Sequence, residues 1–467
     1  MEAIALDLAR AQFAVTTIFH MIWPLLSIGL SLMMVVMEIL WLKTNNEIYY
    51  RQVRFWSAIF IMAFGIGVAS GVPLELEFGT NWSRFSTVAG DIFGTILAFE
   101  AAMSFALEAA FLAIFFFGWG RVSKGVHLFS NIMVALGASL SAFWIMSANS
   151  WMQTPAGVQM QGGKMVITNY LQAVFNPDLP IAFIHIWVAS VETTLFFVAG
   201  ICAWYILRKQ NIDFFLKAFK VMVVIGILVA PLQVFLGDAS GLAVLKNQPA
   251  KAAAMEAHWT TNPPDSSASW VAIGWPDQAA QKNVWEVKVP YMLSLLSDRS
   301  LTGQVTGLKD FPLSDQPPVT LPFYAFRIMV VLGILMVLLV LWALWLWYRR
   351  MLRSEAVAQN RLFWLFWIYA LPSGFIATEC GWIVREMGRQ PWIIYGILRT
   401  SDGVSPIGVA TVATSLAIFT LIYLVLLGLF VYFTRKILIN GPDLTSPLPG
   451  QGSSMPPPKI DADYGGK

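Results

Sequence analysis

Residues 323–348 read FYAFRIMVVLGILMVLLVLWALWLWY, an almost uninterrupted run of apolar side chains. It carries one charged side chain, that of Arg327, close to its first residue. A helix crosses the hydrocarbon core of a bilayer with about 20 predominantly apolar residues. The stretch therefore predicts a transmembrane helix with Arg327 near one membrane surface.

The same pattern recurs along the whole chain of 467 residues, of which 57% are hydrophobic and 12% are charged. The mean hydropathy is +0.65, and the net charge of +3 is small, so we expect no nucleic-acid partner. These features predict an all-α, polytopic membrane protein with nine transmembrane helices. The predicted spans are 14–42, 55–79, 92–118, 127–148, 181–207, 217–236, 323–348, 362–386 and 407–434.

Basic residues concentrate in every second loop between the predicted spans, whereas the other short loops carry far fewer. Because basic loops remain on the cytoplasmic side, this pattern predicts that the N-terminus is outside and the C-terminus is cytoplasmic. The basic loops carry Lys43, Arg51 and Arg54; Arg121 and Lys124; Arg208, Lys209, Lys217 and Lys220; Arg349, Arg350, Arg353 and Arg361; Arg435 and Lys436.

Four regions follow from the pattern of spans. Residues 1–236 hold helices one to six, and residues 323–436 hold helices seven to nine. Residues 237–322 form one long outward loop, which is too long for a plain connection and is therefore expected to be functional. Residues 437–467, which include LPGQGSSMPPPK, are predicted to be a disordered cytoplasmic tail.

Four side chains that can bind iron lie inside the predicted spans. His185, Met329 and Glu379 come from distant parts of the chain but fall in the outer third of the membrane, and His20 lies somewhat deeper. Such side chains are plausible axial ligands of heme iron, and His with Met is a known low-spin pair. The alternative is that the histidines are hydrogen-bonded packing residues and that the methionine belongs to the core.

The third predicted span carries a polar stripe. Glu100, Ser104 and Glu108 follow one another at intervals of four residues, which keeps them within roughly 80° on one face of an α-helix. A carboxylate–hydroxyl–carboxylate stripe inside the membrane is suited to relaying protons. The alternative is that these side chains hold neighbouring helices together by hydrogen bonds.

In the outward loop, Lys251 and Glu256 flank a short helical pattern that ends at His258 and Trp259. Such a pair could bind a ligand with polar ring oxygens and take up its protons. From spacing alone, a solvated charged face is the favoured interpretation.

Six segments, taken together, resemble one family, namely subunit I of cytochrome bd-type quinol oxidases. The resemblance runs from about residue 5 to residue 436 in matching order, and GRQPW is its most specific motif. The segments are RAQFAVTTIFH (10–20), EFGTNWSRFS (77–86), SANSWMQTP (147–155), LGDASG (236–241), FYAFRIM (323–329) and GWIVREMGRQPW (381–392).

The resemblance implies three hemes. His185 and Met329 match the axial ligands of a low-spin heme b, and His20 and Glu379 each match the ligand of one high-spin heme. One of these two is a high-spin heme b and the other is heme d, or a further heme b in its place; which ligand holds which heme stays open. Four arginines are expected to meet heme propionates: Arg10, Arg327, Arg385 and Arg389.

The resemblance also implies roles for the polar groups. Glu100 matches an acidic residue beside the oxygen-reactive heme, and Glu108 with Ser141 matches a cytoplasmic proton path that Ser104 would join. Lys251 and Glu256 match the quinol-binding residues of the external loop.

The implied enzyme oxidises ubiquinol or menaquinol on the outer side and reduces O2 to water with cytoplasmic protons. It would generate proton-motive force without pumping, in the cytoplasmic (inner) membrane of a bacterium, together with a second large subunit and a small single-span subunit. Two other classes compete with this interpretation. One is a cation-coupled secondary transporter, and the other is a structural membrane subunit without a cofactor.

Two departures from the family pattern matter. Phe375 stands four residues before Glu379, where some members have Trp. The second half of the outward loop is short, which resembles the branch that includes cyanide-insensitive oxidases, so heme d cannot be assumed.

Overall fold

The computed structural model describes residues 2–353 and 360–448, and within them nine helices are long and apolar enough to cross a membrane. The fold class and the number of spans are therefore confirmed. In chain order the elements are α1 (Glu2–Thr44), α2 (Glu47–Thr80), α3 (Ser83–Phe99), a π-helical turn (Glu100–Phe105), α4 (Ala106–Phe117), α5 (Lys124–Gln153), β1 (Val158–Gln161), β2 (Lys164–Ile167), α6 (Tyr170–Val174), α7 (Leu179–Leu207), α8 (Ile212–Asn247), α9 (Pro249–Met255), β3 (Trp270–Asp277), β4 (Lys282–Val289), α10 (Met292–Asp298), α11 (Thr320–Tyr348), α12 (Arg361–Tyr369), α13 (Ser373–Met387), β5 (Trp392–Ile394), β6 (Leu398–Arg399), α14 (Thr400–Gly403) and α15 (Val409–Asn440).

Most helices extend beyond the predicted spans, as α1 does by beginning at Glu2 and not at 14, and two further differences bear on the site. Helix α8 continues to Asn247, although the sixth span was predicted to end at 236, because apolar periodicity does not reveal a helix that continues beyond the membrane. The eighth span is two helices, α12 and α13, which are separated at 370–372. Pro372 lies at this break, and proline has no N–H for a helical hydrogen bond.

Small residues let the central helices approach closely. A Cβ atom on Gly29 of α1 would lie 2.1 Å from Thr194 Oγ1 of α7, and one on Gly374 of α13 would lie 2.5 Å from Thr193 Cα. Thr194 Oγ1 also donates to the carbonyl of Leu25 at 3.1 Å. Helices in a bilayer associate through such close packing and interhelical hydrogen bonds. Helix α7 is thereby fixed between α1 and α13.

The segment between α8 and α11 folds against the N-terminal end of α11. It contains α9, the antiparallel hairpin β3–β4 and α10. Its own core includes Trp259, Leu308 and Val319, which pack with Phe323 of α11. We call this end of the helical bundle, where α9 meets α11 and α13, the loop end, and the opposite end the basic end.

The predicted tail, 437–467, begins inside α15, which extends to Asn440. The backbone that follows is held at the basic end, since Arg51 donates to the carbonyls of Asp443 at 3.1 Å and Ser446 at 3.2 Å. Residues 449–467 lie outside the described residues, so the prediction of disorder there remains a prediction.

Candidate functional site

A cavity of about 370 Å³ opens at the loop end between α7, α8, α9, α11 and α13. His185 of α7 and Met329 of α11 line it, together with Lys251 and Glu256 from the loop segment. Four residues that were predicted to be functional, and that come from three distant segments of the chain, thus line one cavity. Its wall is otherwise mainly apolar, as expected for a site that buries most of a planar organic ligand.

The surroundings of His185 and Met329 fit a bulky ligand between them. His185 Nδ1 is buried and has no hydrogen-bond partner. A Cβ atom on Gly237 would lie 3.6 Å from His185 Cε1, and one on Gly381 would lie 3.3 Å from Met329 Sδ. The two glycines, one on α8 and one on α13, therefore leave space beside His185 and Met329. An alanine at either position would place its methyl group in that space.

His20 lies on α1 against α2, away from this cavity. Its Nδ1 is 3.0 Å from Ser70 Oγ, and Ser70 Oγ donates to the carbonyl of Gly67 at 3.0 Å. A Cβ atom on Gly71 would lie 3.2 Å from His20 Cε1. The serine fixes the orientation of the ring, so Nε2 is the nitrogen that can bind a metal.

Glu379 of α13 has two buried carboxylate oxygens, and neither has a hydrogen-bond partner. A buried carboxylate without a partner is costly unless a metal or proton satisfies it. Among the described residues, no group of three or more His, Cys, Asp or Glu side chains could hold a bare metal ion. Isolated axial ligands of this kind fit heme iron, because the porphyrin supplies the other four ligands.

The polar stripe of the third span faces the protein interior. Glu100, Ser104 and Glu108 are buried, while most of the side chains between them are exposed. Ser141 of α5 donates to Glu100 Oε1 at 2.6 Å. A Cβ atom on Gly137 would lie 2.5 Å from Glu108 Cγ, so α5 makes room for this glutamate.

The backbone around the stripe differs from the predicted α-helix, because Glu100–Phe105 form a π-helical turn. Such single π turns occur frequently at functional sites. Ser104 Oγ is buried and has no hydrogen-bond partner. The three predicted side chains and Ser141 are therefore brought together, and one hydroxyl among them is free to bond a further group.

Lys251 and Glu256 are 3% and 7% exposed, so the interpretation as a solvated charged face is wrong. The two side chains have different partners. Lys251 Nζ donates to Gln153 Oε1 at 2.6 Å, and burial, together with the charges of Arg385 and Arg389, lowers the pKa of Lys251 well below its usual value. Burial raises the pKa of Glu256, against the opposing charge of Arg327.

Arg327, which the resemblance expects to meet a heme propionate, bonds acceptors of the protein. Its Nη2 donates to Glu256 Oε2 at 2.7 Å, and its other donors reach the carbonyls of Met255 and Val271 at 2.9 Å and 2.7–3.0 Å. Arg327 lies near the start of α11, beside the folded segment between α8 and α11, so its hydrogen bonds connect that segment to α11. Local sequence does not reveal such acceptors, because they lie 56 to 72 residues away.

The segment GWIVREMGRQPW (381–392) holds two arginines whose donors are satisfied to different extents. Arg385 Nη2 donates to Asp178 Oδ2 at 2.6 Å and to Ser150 Oγ at 3.0 Å; burial would raise the pKa of Asp178, but Arg385 holds it below its usual value. Arg389 bonds Glu386 through Nη2. Its Nε and Nη1 are buried without partners, so Arg389 has donors available for an anionic ligand.

Arg10 lies near the start of α1, partly exposed and 3.8 Å from Asp7. It does not line the cavity that contains His185.

The sequence reasoning missed several buried polar residues of this region. Asp178, just before α7, pairs with Arg385, and Gln153, within the motif SANSWMQTP, accepts from Lys251. Glu192 lines the cavity from the middle of α7. At the basic end, Glu38 accepts from His127 Nδ1 at 2.7 Å. Of these, Glu38 and Glu192 could have been found as ionisable residues inside predicted spans.

Known proteins of one family match this chain over almost its whole length. The model of the family "Cytochrome bd terminal oxidase subunit I" matches residues 8–442. Cytochrome bd ubiquinol oxidase subunit 1 of Bacillus subtilis is 37% identical over 445 residues, covering 92% of this chain and 93% of that protein. Cytochrome bd-II ubiquinol oxidase subunit 1 of Escherichia coli is 34% identical over 504 residues, covering 94% and 97%. The structure of bd oxidase from Geobacillus thermodenitrificans matches with a TM-score of 0.86 at 29% identity, covering 94% of this chain and 99% of that chain.

Proposed function

This chain belongs to the cytochrome bd terminal oxidase subunit I family, and we propose which of its residues carry out each part of the quinol oxidase reaction. It is a multi-pass membrane protein and a quinol oxidase subunit of the cytochrome bd type. Family membership argues against the cation-coupled secondary transporter and against a structural subunit without a cofactor, since the family is one of heme-containing oxidases. The finer assignments below are proposals.

The observation that carries the proposal is that His185, Met329, Lys251 and Glu256 line one cavity. His185 and Met329 would hold a low-spin heme b, supported by the unpaired imidazole nitrogen and the glycine gaps beside both side chains. When bound, the hemes supply one-electron redox chemistry and the binding of O2.

His20 and Glu379 would each hold one high-spin heme, one of them a heme b and the other a heme d or a further heme b. Ser70 fixes the His20 ring through Nδ1 and leaves Nε2 for iron. The unpaired carboxylate of Glu379 is suited to the same role. Phe375, one turn before Glu379, packs edge-on to Phe197 at a centroid distance of 6.2 Å, so in this chain the position fills the core with an apolar ring.

Quinol, either ubiquinol or menaquinol, would bind at the loop end beside Lys251. The lowered pKa of Lys251 keeps its amine neutral over a wider pH range, so it can accept a proton from a quinol hydroxyl. Glu256 would bond the other side of the ligand while Arg327 holds both the carboxylate and the loop backbone in place.

Glu108, Ser104, Glu100 and Ser141 would carry the protons for water formation. Glu108 lies nearest the basic end, and Glu100, bonded to Ser141, lies nearest the loop end. With the N-terminus outside and the basic end cytoplasmic, protons are released outside and taken up inside. Charge separation across the membrane then needs no pump.

Arg389 would pair with a heme propionate through its two free donors, because arginine binds carboxylates through its planar fork. Arg10 remains a second candidate for this role. Family membership supports a second large membrane subunit and a small single-span subunit as partners, in the cytoplasmic membrane of a bacterium.

The test is the visible absorption spectrum of the purified oxidase, oxidised and reduced by quinol, recorded together with quinol-driven O2 consumption. We expect a low-spin heme b signal and high-spin signals that all become reduced by quinol, with O2 consumed in proportion. A protein without a chromophore, or with hemes that quinol does not reduce, would contradict the proposal. The spectrum also distinguishes heme d from a further heme b.

A further inference from the structure

Glu192 of α7 is a buried carboxylate to which the roles above assign nothing. It lines the cavity, is 3% exposed, and its Oε1 has no hydrogen-bond partner. Residues seven apart on an α-helix lie on nearly the same face, about 10 Å apart along the axis. Glu192 therefore lies below His185 in the same wall, on the side away from the loop end.

A second unpaired acceptor lies in the same cavity wall. Gln233 of α8 lines the cavity, and its Oε1 is also buried without a partner. Two acceptors cannot bond each other unless one of them carries a proton. A protonated Glu192 could supply that proton, directly or through a water molecule.

Glu192 differs from the other carboxylates that line the cavity. Asp178 pairs with Arg385, Glu256 pairs with Arg327, and Asp238 pairs with Arg299. Within the described residues, Glu192 forms no ion pair. A buried carboxyl group without a fixed counter-charge responds to charge that appears nearby, because little water is present to screen that charge.

The titratable groups around Glu192 are concentrated towards the loop end. The parts of α1 and α5 deep in the membrane, residues 21–37 and 132–148, contain none, and α12 contributes Arg361 and Tyr369 at its two ends. The remaining groups on the packed elements and the cavity wall are Asp178, just before α7; His185, Cys202 and Tyr205 of α7; Asp213, Lys217, Lys220, Asp238 and Lys246 of α8; Lys251 and Glu256; Tyr324, Arg327 and Tyr348 of α11; and Glu379, Cys380, Arg385 and Glu386 of α13.

We propose that Glu192 is a protonation site coupled to the redox state of the low-spin heme held by His185 and Met329. The carboxylate of Glu192 binds one proton, delivered from bulk solvent through the water of the cavity, when one electron from quinol reduces that heme. The new O–H group then donates a hydrogen bond to Gln233 Oε1. When the electron leaves towards O2, the O–H bond breaks and the proton returns to water. This inference rests on the proposed function, because it requires that heme.

The test is a redox titration of the low-spin heme in the complete purified oxidase, followed by visible absorbance at several pH values. In the wild type, the midpoint potential should fall as pH rises, because reduction is accompanied by proton uptake. In Glu192→Gln the slope of potential against pH should fall by at least half, whereas Glu192→Asp should retain it. Glu77→Gln is the matched control, since Glu77 is a buried carboxylate of α2 that does not line the cavity.

Equal slopes in the wild type and Glu192→Gln would overturn the inference while leaving the proposed function intact. A wild type without a low-spin heme would instead overturn the proposed function. If Glu192→Gln does not assemble, the reduced-minus-oxidised infrared spectrum of the wild type and of Gln233→Leu decides. A protonated-carboxyl band that appears on reduction and shifts in Gln233→Leu supports the inference, and a band that is absent or unshifted contradicts it.

Discussion

At the loop end, three buried ionisable side chains are matched by protein groups: Arg327 meets Glu256, Arg385 meets Asp178, and Lys251 bonds an amide. Within the spans, His185 and Glu379 instead have buried polar atoms without partners among the described residues. A buried polar group without a partner is costly. Paired groups therefore fix the geometry of the loop, whereas unpaired groups mark the places where a ligand or a proton is expected.

The largest effect is expected at the polar stripe inside the membrane. Glu108→Gln should slow O2 reduction at saturating quinol by about 100-fold or more, because it removes a group that relays protons. Quinol binding should be unchanged, since Glu108 does not line the cavity that contains Lys251. Steady-state O2 consumption checks this prediction, with Glu108→Asp as the control that retains a carboxyl group. Unchanged turnover in Glu108→Gln would remove this residue from the proton path.

The second-largest effect is expected at the side chains that are proposed to bind heme iron. Met329→Leu should alter the low-spin heme spectrum and lower quinol oxidation by about 10- to 100-fold, the range typical of disturbed metal sites. Met336→Leu is the matched control, because Met336 lies two turns further along α11 and lines the same cavity. If both variants retain the wild-type spectrum, Met329 is not an axial ligand.

A smaller effect is expected at the paired loop end. Lys251→Met should raise the quinol KM by about tenfold, the effect of one lost hydrogen bond to a buried group. Because burial lowers the Lys251 pKa, acidification through that pKa protonates the amine. The wild-type KM should therefore rise as pH falls, and the variant should lack this dependence. Lys246→Met, at an exposed lysine of α8, should retain both the KM and its pH profile.

The smallest effect on turnover is expected at Arg327. Arg327→Gln should loosen the loop by about 3 kcal/mol, because it leaves Glu256 buried without its partner. Arg299→Gln breaks the more exposed bridge to Asp238 and should cost at most about 1 kcal/mol. Limited proteolysis of residues 248–319 measures both. A changed low-spin heme spectrum in Arg327→Gln, without faster proteolysis, would return this arginine to a propionate role.

The nine spans could be predicted from sequence because an apolar stretch of about 20 residues or more is typical of a membrane-spanning helix. The continuation of α8 to Asn247 could not, since residues 237–247 mix polar and apolar side chains and do not form a continuous apolar stretch. His185, Met329 and Glu379 were identified as ionisable or metal-binding side chains in spans. The partners of Lys251 and Arg327 were not, because Gln153 and Val271 become neighbours only when distant segments pack together.

The π-helical turn at Glu100–Phe105 amounts to a one-residue insertion in an otherwise continuous helix. Each residue of an α-helix advances the chain by about 100°, so an extra residue in a regular α-helix would rotate everything that follows by that angle. The wider π-helical turn absorbs the extra residue locally, so Glu108 still faces Gly137 of α5. Relatives that lack the extra residue should therefore have a regular α-helix at this place, with the carboxylate at the position of Glu108 still facing the helix equivalent to α5.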